Sequence, residues 1–288
     1  MEITDIKVTG RTSLTLPWEE IQIMPIGDVQ LQHNTQAIDL KRLKKQIQWA
    51  KEQEAQGHPP IYFLGMGDYV DTLSPSNRAA WAATRLYDSA REAMEAATTD
   101  LEQQFLDIVA GTEGRWLGIL QGHHFFQHED GSTSDTRIAH SLGAPFLGTC
   151  GVVILKFPAQ RCLIWCHHGA GGGISPMSPI NKLLPVMNAF EADIYLIGHH
   201  TKKPVLKMPK LYVSEAEPYE LFVKNKVLAG TGGFTLGYAQ GSRNLAGNPE
   251  GGYVERGMLT PTALGSILVK IRPAHEDGMD RLDINVEV

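Results

Sequence analysis

The chain has 288 residues, 42% of them hydrophobic and 20% charged, with a formal net charge of −6 at pH 7. That length supports a substantial core, and the acidic balance argues against a protein that lives mainly by attraction to a phosphate backbone, since such domains carry a basic face. It leaves room for metal ions to supply the positive charge that a phosphate group needs.

The opening residues, MEITDIKVTG, lack a basic segment followed by an apolar run, so no signal peptide is expected. No stretch reaches the ~18 apolar residues of a membrane helix, and no membrane partner is expected. The three cysteines, Cys150, Cys162 and Cys166, are odd in number and lack CxxC spacing, which excludes a disulfide framework and fits a reducing cytoplasm. Cys162 and Cys166 flank an apolar run and are expected to be buried, inert thiols.

Taken in order, Ile21 to Ile26 predicts a strand ending at Gly27-Asp28. Ile38 to Glu54 alternates apolar and polar residues at helical spacing and predicts an amphipathic helix, stopped by Gly57-His58-Pro59-Pro60. Ile61 to Leu64 is a short apolar run of the buried parallel kind, ending at Gly67-Asp68. Asn77 to Val109 predicts one or two helices, and Trp116 to Leu120 a strand ending at Gly122-His123-His124. Val152 to Phe157 and Cys162 to Cys166 predict a hairpin that runs into His167-His168-Gly169. A helix over Pro179 to Phe190 and a strand over Asp193 to Ile197 lead to Gly198-His199-His200, and β-rich segments follow. Strands alternating with helices, then a run of strands, predict an α/β sandwich with its sheet partly mixed, with residues 1–288 forming one domain.

Five apolar strands therefore finish on Gly with Asp or His, or on His with Gly. Sites in open α/β sheets form outside the carboxyl ends of strands, so gathering these ends on one sheet edge would bring Asp28, Asp68, His123, His168 and His199 into one pocket. Unpartnered buried charges and imidazoles are costly, and a shared cation would satisfy them together. Asp with His suits Mn²⁺, Fe or Zn²⁺ better than Ca²⁺, and the absence of a thiolate from the set excludes a structural Cys-zinc site. Asp28 and Gln30 stand two apart, so in extended chain both point the same way, and the two oxygens of Asp68 suit a bridge between cations.

The series Gly27-Asp28-Val29-Gln30, Gly67-Asp68-Tyr69-Val70-Asp71, Gly122-His123-His124, His168-Gly169 and Gly198-His199-His200-Thr201 resembles the calcineurin-like metallophosphoesterases. Their ordered motifs are DxH, GDxxD, GNH followed by an acid, HG, and GHxH. The resemblance spans roughly residues 20 to 205 and extends to the C-terminal β segment, which looks like that family's second sheet, so it implies an α/β fold with a β-sandwich of two mixed sheets flanked by helices. It implies that Asp28 and Gln30 hold a first metal, that Asp68 bridges, and that His123, His168 and His199 complete a second. It places His124 as the catalytic imidazole, giving in-line attack by a metal-bound hydroxide with His124 as general acid. Gln30 stands where the family has His, His123 where it has Asn, Phe125 where it has an acid, and Thr201 where it has the last His. Gln30 and Thr201 are weaker ligands than imidazole, so one firm and one loose metal site are expected.

The function so implied is hydrolysis of a phosphomonoester or phosphodiester in a phosphorylated substrate. Two other readings stand: a scaffold that keeps the fold but has lost turnover, and a nuclease of the same fold, although no basic stripe with interleaved aromatics indicates nucleic acid. The Gly-rich run Gly169 to Gly173 reads equally as a phosphate cradle or a flexible turn. Arg78 and Arg85, like Lys202 and Lys203, read as a solvated face more readily than as substrate guides. Ser132 and Ser134 fall in a polar loop with no base arrangement, and His58, His128 and His140 read as surface or capping residues.

Overall fold

The computed structural model describes residues 10–33, 37–83, 87–214, 217–238, 248–249, 253–276 and 279–288. The first half runs β1 (Gly10–Thr15), β2 (Ile21–Gly27), α1 (Leu40–Ala55), β3 (Ile61–Gly67), α2 (Pro75–Ala83), α3 (Asp88–Val109), β4 (Trp116–Leu120), α4 (Ser134–Ser141) and β5 (Phe146–Gly148). The second runs β6 (Cys150–Lys156), β7 (Arg161–His167), α5 (Ser178–Ala189), β8 (Ile194–Ile197), β9 (Val205–Val213), β10 (Leu221–Gly230), β11 (Gly232–Gly233), α6 (Tyr253–Arg256), β12 (Gly265–Ser266), β13 (Leu268–Glu276) and β14 (Met279–Glu287).

Two six-stranded mixed sheets face each other, as the resemblance implies. One has the order β14-β13-β2-β3-β4-β5, parallel from β2 to β5 and antiparallel at β13 and β14. The other has the order β1-β6-β7-β8-β10-β9 and holds the expected antiparallel β6–β7 pair and a parallel β7-β8-β10 run. Ile23, Leu64 and Leu120 of the first sheet pack on Val153, Ile164, Leu196 and Val227 of the second. The outer face of the first sheet, with Met24, Phe63 and Ile119, is covered by Leu43 and Ile47 of α1, Phe105 of α3 and Ile138 of α4. Helix α5 covers the second sheet through Ile180 and Leu183 against Trp165, Tyr195 and Leu228. Burial on both faces is why β2 and β3 read as continuous apolar runs. Each large apolar side chain so enclosed contributes about 1.5–3 kcal/mol.

Several expectations change in detail. Helix α1 starts at Leu40 because Asp39 caps it, accepting the Arg42 N–H at 3.0 Å, while Ile38 pairs with Thr235 outside the helix. The polar segment around Ser132 and Ser134 leads into α4, which the sequence reading missed. Thr133 and Thr136 form a reciprocal capping box there, with Thr in the place usually taken by Glu or Gln. The C-terminal β segments do not make one second sheet: β9 and β10 join the second sheet, β13 and β14 the first. His128 is buried, its Nε2 2.9 Å from Glu102 Oε1, whereas His58 and His140 are exposed as expected. Cys162 and Cys166 are buried free thiols.

Candidate metal centre

The five strand ends converge, but from two sheets and not from one sheet edge. Asp28 follows β2, Asp68 follows β3 and His123 lies just beyond β4, all in the first sheet; His168 follows β7 and His199 lies beyond β8 in the second. Ligand atoms of Asp28, Asp68, His168 and His199 all lie within 4.8 Å of one another, and so do those of His123, His168 and His199.

The chain bends sharply to achieve this. Asp28, Gln30, Asp68, His199 and Thr201 have φ of 50, 49, 55, 63 and 49°, in the left-handed region that side chains other than glycine seldom adopt. Such residues cost of order 1–3 kcal/mol each and persist where the surroundings hold them, characteristically at functional sites. Gly122 permits the closest approach: a Cβ there would lie 2.1 Å from the Asp68 amide nitrogen and Oδ1. Gly67, at φ 92°, would drive a Cβ to 2.6 Å from His168 Nδ1.

The hydrogen bonds leave one set of atoms open. His168 Nδ1–H donates to the Met66 carbonyl at 2.6 Å, which fixes the tautomer and turns the Nε2 lone pair inward. Asp68 Oδ1 accepts the His123 and His124 N–H groups at 2.5 and 3.0 Å, so Oδ2 is the oxygen open to a cation. Any bridge between two cations would therefore rest on that one atom, not on both oxygens. Asp28 Oδ2 accepts the His199 N–H at 2.8 Å. Asp28 Oδ1, Asp68 Oδ2 and His168 Nε2 are buried without a hydrogen-bond partner, the last two 3.3 Å apart but lacking hydrogen-bond geometry. Two lone pairs facing at that distance need a positive centre between them, either a proton or a metal ion. The donor set fits a metal.

The electrostatics agree. Burial pushes the Asp28 carboxyl up to about 7. Burial acts the same way on Asp68 and is the largest single influence, but the charges and hydrogen bonds of His168 and His124 together outweigh it and hold that carboxyl well below the usual range. For His168, burial is outweighed by Asp68 and Asp28, which lift the imidazole to about 9. Burial and then the His168 charge push His199 down to about 4 and lower His123 also, so these two rings are neutral and able to ligate.

His124 stands apart from the cluster. Its Nδ1–H donates to Asp71 Oδ1 at 2.7 Å, and its Nε2 lies 4.0 Å from Asp68 Oδ2. Burial lowers its pKa, but the Asp71 hydrogen bond and the Asp68 charge win and raise it above the ordinary histidine value. Asp71 has no expected role in the sequence, although its place three residues after Asp68 in GDxxD is the available signal. Asp135, unmarked in the sequence, is a buried carboxylate whose Oδ2 accepts the Gly122 N–H at 2.8 Å and which burial pushes up to about 7.

The remaining candidates fall outside the cluster or on its rim. Gln30 Oε1 accepts the Thr235 hydroxyl at 3.1 Å, which occupies one of the lone pairs expected to face a metal. The Thr201 methyl faces Gly233. His200 is buried with its ring 5.3 Å from that of His199, and His33 is a surface residue 3.7 Å from Asp100. The Gly-rich run is pinned: the Gly169 N–H donates to His167 Nδ1 at 2.7 Å and Lys202 Nζ to the Gly173 carbonyl at 3.0 Å. Lys203 is likewise half-buried and donates to the Leu264 carbonyl, so neither lysine is a freely solvated cation. Arg85 lies outside the described residues. Among the described residues, no helix is long and apolar enough to cross a membrane.

No family model matches the sequence, and no curated protein matches it. Solved structures similar to the chain include Vacuolar Protein Sorting 29 from Cryptosporidium parvum, at 13% identity and a TM-score of 0.36, covering 93% of this chain and 98% of that one. A single mutant of Vps29 from Entamoeba histolytica is similar at 14% identity and a TM-score of 0.34, covering 93% of this chain and 100% of that one.

Proposed function

We propose that the chain is a metal-dependent phosphoester hydrolase of the calcineurin-like metallophosphoesterase kind, acting on a phosphomonoester or phosphodiester through one firm metal site. The observation that carries this reading is the Asp71–His124 pair beside the buried Asp–His cluster. A core needs no half-exposed imidazole that is anchored on a carboxylate and faces a metal site. Asp28, Asp68, His123, His168 and His199 would hold the ion, with Mn²⁺ the best fit to the donors and Fe or Zn²⁺ also compatible. When bound, such an ion lowers the pKa of a water and neutralises phosphoryl oxygens.

The chain's own residues supply the proton. With Nδ1–H committed to Asp71, the proton that His124 can give up is on Nε2, on the side of Asp68. Its raised pKa keeps that proton in place near neutral pH, ready for the ester oxygen that departs. Assembly of the site from both sheets supports one domain over residues 1–288, and the free cysteines support a cytoplasmic setting.

A second reading has its own observation. Gln30 bonded to Thr235, with Thr in place of a ligand at 201, favours a scaffold of this fold that keeps one metal and has lost turnover. Metal content of the purified protein, with hydrolysis of an aryl phosphomonoester, an aryl phosphodiester and single-stranded DNA assayed with and without Mn²⁺, separates the readings. Hydrolysis requires Mn²⁺-stimulated cleavage that falls about 10²-fold in His124→Ala and in Asp71→Asn while metal content holds. Bound metal without cleavage of any substrate supports the scaffold, cleavage of DNA alone supports a nuclease, and absence of metal sinks the site.

A further inference from the structure

Arg78, which the sequence reads as part of a solvated face, is half-buried and reaches inward. Its Nη1 donates to the carbonyls of Leu73, His123 and Phe125 at 2.7, 2.6 and 3.0 Å. Its guanidinium carbon lies 3.9 Å from the centre of the Phe125 ring. No described carboxylate comes within 4.0 Å of it, so it makes no ion pair there and its partners are backbone.

The segment it grips is the turn that carries both His123 and His124. The N–H side of that turn is held by carboxylates: Gly122 N–H on Asp135, and His123 and His124 N–H on Asp68 Oδ1. On the carbonyl side, His123 and Phe125 are held by Arg78, and the Thr72 N–H lies 3.4 Å from the His124 carbonyl. Thus every backbone group from His123 N–H to His124 carbonyl has a partner, and Arg78 is the side chain that closes the carbonyl side. The two imidazoles must diverge, one into the metal cluster and one onto Asp71. A turn free to rotate would lose both.

We infer that Arg78 is a positioning residue, clamping the 122–125 turn so that His123 and His124 face the metal centre together. The inference rests on the metal reading of that centre. The guanidinium sets Nη1 on the three carbonyls with its carbon over the Phe125 ring, and a lysine at 78 would lack that fixed planar fork. Groups that orient metal ligands without touching the ion typically change metal affinity or activity by about 10–100-fold when removed.

The test is Co²⁺ titration of the metal-depleted full chain, followed by visible absorption, on wild type, Arg78→Lys and Arg78→Ala, with thermal unfolding of each recorded in EDTA. Arg78→Ala is expected to bind Co²⁺ about 10-fold or more weakly, with an altered visible spectrum, and Arg78→Lys to fall between it and wild type. Wild-type affinity and spectrum in Arg78→Ala overturn the inference even if its unfolding temperature drops, because that is the mark of a purely structural residue. Should Arg78→Ala not fold, Arg78→Lys decides: weaker Co²⁺ binding supports the clamp, and unchanged binding overturns it. Failure of the wild type to bind Co²⁺ removes the metal reading and this inference with it, whereas wild-type binding matched by both variants removes this inference alone.

Discussion

Replacing Asp28 with Asn separates what a metal contributes to stability from what the protein supplies. Without metal, burial raises the Asp28 carboxyl from 3.8 to about 7. A carboxyl whose folded pKa is raised destabilises the fold progressively as pH climbs from the unfolded value, and the full cost is present above the folded value. The gap between 3.8 and about 7, at about 1.4 kcal/mol per pH unit, corresponds to roughly 4 kcal/mol at pH 8. An Asn at 28 still accepts the His199 N–H but puts an amide NH₂ where the unpartnered Oδ1 stood, which returns about 1–3 kcal/mol of the gain. In EDTA at pH 8, Asp28→Asn should therefore be more stable than wild type by about 1–3 kcal/mol, or several degrees at about 2–4 °C per kcal/mol.

Mn²⁺ should reverse that order. At about 1,000 times its Kd an ion that binds only the folded state adds about 4 kcal/mol. Wild type should gain it and the variant, lacking a ligand charge, should not. Thermal unfolding of both proteins at pH 5 and pH 8, in EDTA and in Mn²⁺, reads all of these effects, and the EDTA advantage of the variant should shrink at pH 5. An Asp28→Asn protein less stable than wild type in EDTA at pH 8, or one that gains as much from Mn²⁺, would refute the reasoning.

The same sign applies to Asp135, raised to about 7 by burial: Asp135→Asn keeps an acceptor for the Gly122 N–H and should flatten the loss of stability between pH 4 and pH 7, measured by urea unfolding in EDTA. A parallel pH profile in wild type and variant counts against the buried charge. The double variant Gln30→His, Thr201→His should take up a second equivalent of Mn²⁺, read by metal analysis after dialysis; a stoichiometry fixed at one shows that the side chains do not reach.

Most of the strands and helices were legible because their signals are local. Continuous apolar runs at Ile21 and Ile61 mark strands buried on both faces, and the spacing of Leu43 and Ile47 marks a one-sided helix, although Trp49 of the same apolar set is exposed. The residues that converge were legible too, since Gly followed by Asp or His at a strand end is a local pattern. What stayed hidden depends on distant partners. Asp71 acquires meaning only from His124, 53 residues on. Arg78 looks like any helix cation until the His123 carbonyl, 45 residues away, comes to it. The assignment of strands to sheets, with β13 beside β2, rests on long-range pairing that no local window records.

The backbone at the weak side of the site bears on how that side is to be read. Gln30 and Thr201 share the left-handed conformation of Asp28, Asp68 and His199, although neither brings an imidazole. A glutamine or threonine in a loop of no consequence would relax to negative φ, because the left-handed region is uphill for both and most of all for the β-branched threonine. Something holds them there. Gln30 N–H donates to the Asp68 carbonyl at 2.9 Å, and the Thr201 carbonyl accepts the Ala263 N–H at 2.9 Å, so the main chain that shapes the site enforces both bends. The backbone bends at 30 and 201 are thus in place, and on the proposed reading the difference between one ion and two would lie in two side chains. That is why the double histidine variant is the informative one: it changes ligands on a backbone already bent to present them.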